Sequence, residues 1–381
     1  GQWTNDGVPA TFETFIDNID AVRGSREGDD EIRGDAEANL FEGRGGDDTL
    51  DGRAGNDTLI GGDGNDELIG GEGNDELQDG FGDDYLDAGA GDDTVISTSG
   101  GDTYIGGTGW DRFEFATDSP QGSFVGVIDL ENEVIYPQGN PTSALADTIS
   151  GFEEVQIYGP VDFQLIGDSI GNLLITDQGN DTLDGGGGND TMTGGAGDDT
   201  YYIGSRNDLV IEVAGEGDDV VIATTDVFLR PHLERVVLMG EEGDDLRVLG
   251  NSQSNTIYGD NGNNRLDGRF GANTLDAASN PMIAGAMSGN DTLIDRDGGD
   301  TMIGGNGDDV YRVSGDTFGA VTIVEQENGG DDFLLSSQTI TVAENIETVR
   351  LLTADDIDVT GNAQNNEING NNGANAIMGL G

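Results

Sequence analysis

Between Ser25 and Glu114 the chain counts in nines. From Gly43 to Ile96 the units read GRGGDDTLD, GRAGNDTLI, GGDGNDELI, GGEGNDELQ, DGFGDDYLD and AGAGDDTVI without a slip. Glycine gathers early in each unit, aspartate holds place six, and an aliphatic residue holds place eight. Nine residues are too few for a helix-based repeat. They suit half a turn of a parallel β-roll, with a three-residue strand around place eight and a six-residue turn before it. A chain reversing that sharply calls for positive φ at places one, two and four, which glycine adopts without steric strain. Leu50, Leu59, Leu68, Leu77, Leu86 and Val95 at place eight would then stack inside as aliphatic ladders. Two nonads complete a turn, and turns rise about 4.8 Å, so the block 25–114 predicts a solenoid on the order of 24 Å long.

Such stacking raises an electrostatic problem. Asp48, Asp66 and Asp84 fall on one edge, and Asp57, Asp75 and Asp93 on the other. Carboxylates so arranged repel unless a hard cation lies between them. Composition makes the same demand of the whole chain, which carries 76 acids against 15 bases, a formal charge of −61, and only 34% hydrophobic residues. Burial on that scale does not offset the lost chain entropy, and the carboxylates oppose any compact state. A cation must therefore belong to the fold. Calcium takes six to eight oxygens in flexible geometry, whereas magnesium demands a tighter octahedron and parts with water reluctantly. Zinc wants nitrogen or sulfur, and this chain has one histidine and no cysteine. Without cysteine there is no disulfide either.

The charge also limits partners. Phosphate would repel this chain, so nucleic acid is excluded as a partner, and adsorption to an anionic membrane is disfavoured. No apolar run approaches the roughly 18 residues of a membrane span. The opening GQWTNDGVPATFETF lacks the basic and apolar regions of a secretory signal peptide.

The nonads fall into blocks, with irregular segments between them. The expected organisation is the end of a preceding spacer at 1–24, a first calcium block at 25–114, a spacer at 115–166, and a second block at 167–222. A spacer at 223–249, a third block at 250–312 with asparagine turns, a spacer at 313–360 and the start of a further block at 361–381 follow. A looser repeat runs through all of it. Short apolar segments containing an acid (FIDNIDAVRG, ISGFEEVQIYG, PHLERVVLMG and NIETVRLLT) each precede a nonad with asparagine at place six, namely Asn39, Asn172, Asn255 and Asn366. Alternation such as Val155, Ile157 and Val236, Leu238 suggests short strands with one buried face. The unfinished last nonad leads us to expect an excerpt of a longer protein.

The unit GGxGxDxUx resembles the signature of the RTX (repeats-in-toxin) family, a calcium-binding β-helix repeat. Phrases such as GDDTYYIG, GEGDDVV and LERVVLMG are similar to the spacers of multi-module RTX proteins. The resemblance implies that the place-six aspartate is a calcium ligand shared between neighbouring turns, completed by turn carbonyls. Carried onto this chain, the ligands are Asp30, Asp48, Asp57, Asp66, Asp75, Asp84, Asp93, Asp102 and Asp111 in the first block. The second block offers Asp181, Asp190, Asp199 and Asp208, and the third Asp291, Asp300 and Asp309. The isolated Asp219 and Asp332 bind calcium only where a spacer turn supplies the other half of the site. Asn39, Asn172, Asn255, Asn264, Asn273, Asn366 and Asn375 bring no charge, and their turns are expected to continue the roll without metal through a hydrogen-bonded ladder.

Catalytic chemistry is not expected. His232, in RPHLERV, lacks the His-Glu-x-x-His partner of the RTX metalloproteases and reads as a spacer residue. Glu153–Glu154 and Glu241–Glu242 read as solvated pairs, and DRDGGD at 295–300 lacks the glycine and closing glutamate of an EF-hand. Trp110, Phe113 and Phe115 are expected to cap the exposed end of the first block. The reading that follows is a non-catalytic, calcium-folded structural module of a secreted or cell-surface bacterial protein, exported unfolded and serving as a stalk, adhesin or surface layer. The alternative is the calcium-binding tail of an RTX exoenzyme (protease, lipase or alginate epimerase) whose catalytic domain lies outside this chain. Calcium-bridged self-assembly or polysaccharide binding is a third expectation.

Overall fold

The computed structural model describes residues 3–4, 14–15, 20–98, 100–116, 126–137, 147–240, 244–283, 289–315 and 319–380. Most of the expected spacer at 1–24, parts of those at 115–166 and 223–249, and Glu241–Glu242 lie outside them. Among the described residues there is no helix, and the chain divides into two compact units, Gly1–Gly197 and Asp198–Gly381.

In Gly1–Gly197 successive strands alternate between two parallel sheets. Leu40–Gly45, Thr58–Asp63, Glu76–Phe81, Thr94–Ser97 and Arg112–Ala116 stack in one sheet. Glu31–Arg33, Thr49–Ala54, Glu67–Glu72, Tyr85–Ala90 and Thr103–Thr108 stack in the other. The register joins each residue to the one 18 places on, so Leu50 meets Leu68, and Leu59 meets Leu77. Six place-eight residues, Leu50 to Val95, are wholly buried, and the ladders run on through Tyr104, Phe113, Val155, Leu174, Leu183 and Met192. Seven strands of the first block are six residues long rather than the expected three, while Glu31–Arg33, Thr94–Ser97 and Arg112–Ala116 hold three, four and five. Each of the six-residue strands extends from place seven into place three of the next nonad, over a bend whose place two holds positive φ, at Arg44 and Arg53 as well as at Gly62, Gly71, Gly80, Gly89 and Gly107. In the second block the strands shrink to three residues, as at Thr182–Asp184 and Thr191–Thr193.

The aromatic cluster does not end the stack. Arg112–Ala116 pairs onward with Glu154–Tyr158, and Phe113 is packed edge-to-face between Tyr104 and Phe152. Trp110 stands outside, 45% exposed, with its Nε1 donating to Glu154 Oε2 at 3.1 Å. The expected cap is therefore an internal rung, because the segment after it supplies further strands. Thr103–Thr108 pairs with Asp147–Ser150, and an antiparallel excursion through Val134–Pro137 and Gly126–Asp129 returns the chain to the parallel strand Phe163–Ile166.

Asp198–Gly381 repeats the plan. Thr200–Ile203, Val220–Ala223, Arg235–Leu238, Thr256–Tyr258, Thr274–Asp276, Thr301–Ile303 and Thr322–Val324 form one parallel sheet. Arg247–Leu249, Arg265–Asp267, Thr292–Asp295, Val310–Val313, Phe333–Ser336, Thr348–Leu351 and Glu367–Asn369 form another. Interruptions of the nonad count are turns of other lengths, not breaks in the sheet.

Candidate metal centre

Place six lies one residue before each strand, where the turn hands the chain back to the sheet. There the backbone N–H of each residue donates to the Oδ1 of the aspartate one turn on. One line runs Asp30, Asp48, Asp66, Asp84, Asp102, and the other Asn39, Asp57, Asp75, Asp93, Asp111, with all eight bonds between 2.7 and 3.0 Å. One oxygen of each carboxylate is thus used by the protein. The second is not. Oδ2 of Asp48, Asp57, Asp66, Asp75, Asp84, Asp93 and Asp111 is buried without a hydrogen-bond partner. A row of buried anionic oxygens costs several kcal/mol apiece unless something cationic meets them.

The glycine at place one shows where those oxygens point. A Cβ on Gly61 would lie 2.5 Å from Asp66 Oδ2 and 2.9 Å from the Asp79 carbonyl oxygen. One on Gly70 would lie 2.6 Å from Asp75 Oδ2 and against the Ala88 carbonyl. Gly61 and Gly70 are not among the positive-φ glycines, whereas places two and four are, as at Gly62 and Gly64. The expectation that all three places need left-handed backbone is corrected at place one, which is glycine because carboxylate and carbonyl converge on it. The donor set is oxygen alone, from carboxylates and carbonyls, and fits calcium.

The cation-free electrostatics agree. Burial pushes Asp48 and Asp84 up to about 7 and Asp57, Asp75, Asp93 and Asp111 up to about 6, against the lowering effect of the N–H each accepts. Neighbouring carboxylates add to the rise, as Asp66 and Asp30 do at Asp48.

Asp30 is half-buried, and its Oδ2 accepts the Ser25 N–H at 2.5 Å. Asp102 has its Oδ2 2.8 Å from the Tyr104 hydroxyl. Asp181 accepts the Phe163 N–H at 2.6 Å, and Asp190 that of Asn172 at 2.9 Å. In the second unit Asp219 accepts from Asp199, Asp309 from Asp291, Asp332 from Asp309, and Asp300 from Asn273, at 2.7–2.9 Å. Asp208 is half-buried and accepts the Gly204 and Ser205 N–H groups at 3.2 and 2.9 Å.

Several acids that sequence reasoning passed over continue the same lines. The Asp102 N–H donates to Asp147 Oδ1, and those of Asp111, Asp219 and Asp332 donate to Glu153, Glu234 and Glu347, at 2.8–3.1 Å. The last three are the acids of the apolar spacer phrases, so the signal was visible but not its purpose. Glu153–Glu154 is accordingly no solvated pair, since Glu154 is buried and pairs with Arg112 at 2.8 Å. Asp295 and Asp297 of DRDGGD join Asp300 in a buried group, with one carboxylate oxygen from each within 4.8 Å of the others.

Asparagine solves the turn differently. Oδ1 of Asn255 accepts the Asn251 N–H at 3.0 Å, while Nδ2 donates to the Leu233 carbonyl at 3.0 Å. Asn366 Nδ2 makes the equivalent bond to Ile346 at 2.8 Å. Elsewhere the amide nitrogens donate to side chains, Asn264 to Asp260, Asn273 to Asp300 and Asn375 to Asn371. The Asn255 N–H donates to Asn273 Oδ1 at 2.8 Å, so the row continues through these asparagines as a ladder of backbone-to-side-chain bonds.

A model of the RTX calcium-binding nonapeptide repeat (4 copies) matches residues 26–59, 60–95, 166–209, 247–279, 286–316 and 358–381, together more than half of the chain. The chain belongs to the RTX family. It is a calcium-binding repeat protein, and the aspartate lines are where an RTX repeat presents its carboxylates. No curated protein matches the chain. No helix among the described residues is long and apolar enough to cross a membrane. The letters of a hydrolase elbow, Gly-x-Ser-x-Gly, occur in this RTX chain at Gly167-Asp168-Ser169-Ile170-Gly171, but as an ordinary repeat turn leading to the strand Leu173–Ile175 rather than to a helix.

Proposed function

We propose that this RTX chain is a non-catalytic structural module of a secreted or cell-surface protein, and that extracellular calcium folds it. The observation that carries the proposal is the unbroken series of buried, unpartnered Oδ2 atoms from Asp48 to Asp93 and at Asp111. A chain with that many buried anionic oxygens is unstable at neutral pH until cations occupy the turns, so the free energy of calcium binding becomes free energy of folding. At the low calcium level inside a cell the acidic chain stays extended, which suits passage through an export channel. Outside, calcium closes the turns one rung after another, and the module extends or stiffens whatever it is joined to. Circular dichroism tests this directly. Calcium should convert a disordered spectrum to β-structure with a steep midpoint, and chelation should reverse it. A β-rich spectrum indifferent to both would overturn the proposal.

A further inference from the structure

Two sites in Asp198–Gly381 are built differently from the repeat turns. At each, a glutamate from outside the nonads enters a pair of row aspartates. Asp199, Glu212 and Asp219 form one group, and Asp309, Glu325 and Asp332 the other, each with one carboxylate oxygen from every member within 4.8 Å of the others. A buried tyrosine two residues after the first aspartate orients the glutamate. The Tyr201 hydroxyl donates to Glu212 Oε1, and the Tyr311 hydroxyl to Glu325 Oε2. The stretch from tyrosine to glutamate is 11 residues in one copy and 14 in the other. From glutamate to the second aspartate it is seven in both, and from there to the next row glutamate it is 15 in both. A loop of varying length thus delivers the same carboxylate to the same place.

Each group carries buried oxygen that the protein does not use. Glu212 is 8% exposed, and its Oε2 has no hydrogen-bond partner. Asp309 and Asp332 are 0% and 1% exposed, and the Oδ2 of each has none. A Cβ on Gly304 would meet the Tyr311 hydroxyl, Asp309 Oδ2 and, at 2.7 Å, Glu325 Oε2, so three oxygens converge over a glycine that leaves the space open. The first unit offers a contrast. There the Tyr104 hydroxyl lies 2.8 Å from both Asp79 and Asp102, and no oxygen of either is left over.

We infer that Asp199–Glu212–Asp219 and Asp309–Glu325–Asp332 are two calcium sites of a second kind, each holding one ion between three carboxylates. Glu212 and Glu325 are ligands, and Tyr201 and Tyr311 position them. Three carboxylates give more negative charge than a repeat turn, which has one aspartate from each of two rungs and carbonyls besides. Ligand charge raises calcium affinity, so these sites fill before the repeat turns. They would then act as fixed points from which the neighbouring rungs fold.

This inference rests on the calcium-folding reading above, and the two can fail separately. The experiment counts bound calcium by native mass spectrometry and by isothermal titration, on the whole chain and on E212Q/E325Q. The expected result is two ions fewer in the variant, lost from the tightest class, with the β-spectrum at saturating calcium retained. A wild-type chain that binds no calcium would overturn the folding reading. Calcium binding with an unchanged count and affinity in the variant would overturn only this one. Should the glutamine variant not fold, E212D/E325D keeps the charge and withdraws the oxygen by one methylene. It is expected to bind two ions at least about tenfold more weakly with the rest unaffected, and equal affinity throughout would refute the assignment.

Discussion

Asp66 shows what one side chain contributes. Its Oδ1 receives the Asp48 N–H, its Oδ2 faces the turn, and burial holds its carboxyl above the usual range. Asp66→Asn keeps the acceptor and removes the charge, so titration calorimetry should find fewer calcium ions in a chain that still folds at saturating calcium. Asp66→Ala also strands the Asp48 N–H, at a cost of about 1–3 kcal/mol, and should move the calcium midpoint of the β-spectrum further. Gly73 answers to sterics instead. With φ at +132° and a Cβ position directly against the Gly55 carbonyl, Gly73→Ala should cost more than about 1 kcal/mol. A midpoint unchanged by that substitution would contradict the register described here.

At the scale of the rung, stacked strands and stacked side chains act together. Leu59 is wholly buried between Phe41 and Leu77 in register, and Leu59→Ala should destabilise the calcium-loaded fold by about 2–5 kcal/mol in denaturant titration. The regular rungs were legible in the sequence because each repeats the same small set of requirements every 18 residues. In the spacers the alternation of Val155, Ile157 and of Val236, Leu238 marked the strands Glu154–Tyr158 and Arg235–Leu238, but not the acids that join the rows. Glu153, Glu234 and Glu347 hold row positions, yet they lie 42, 15 and 15 residues from the row aspartates Asp111, Asp219 and Asp332, none a multiple of nine, so the nonad count does not mark them. Asparagine follows these acids for a reason the linear pattern does not show. The Asn255 and Asn366 amides clamp the carbonyls just before Glu234 and Glu347, using a donor where an aspartate would bring charge. Asn255→Asp should therefore raise the calcium concentration needed for folding, read as a shift of the calcium midpoint to higher concentration.

Across the whole molecule the acids make protons and calcium competitors. Without the ion the carboxyls of Asp48, Asp84 and Asp332 rise to about 7 and that of Asp75 to about 6, above the value near 4 of an unfolded aspartate. A raised folded-state value favours the fold in acid, and that contribution fades as pH climbs through the folded-state range. Calcium-stripped chain should accordingly hold more β-structure near pH 5 than at pH 7.5, with the loss falling between about 4 and 7. With calcium present the dependence reverses, since ligands must be deprotonated, and apparent affinity should weaken as pH drops through the same window. Circular dichroism against pH, with and without the ion, distinguishes the two branches.

The sequence by itself determined the repeat, the parallel solenoid, the buried place-eight ladders and the calcium chemistry. Those follow from local requirements met again in every nine residues: glycine where the chain bends, an aliphatic side chain inside, and an oxygen ligand at the turn. What the tertiary structure decided is how the exceptions fit. That Glu153, Glu234 and Glu347 extend the rows, that Glu212 and Glu325 meet aspartates beside a tyrosine hydroxyl, and that Phe113 is interior all depend on loops of unequal length. Once stacking fixes the rungs, the loops are free to vary, and only the stacked position tells a ligand from a spacer residue.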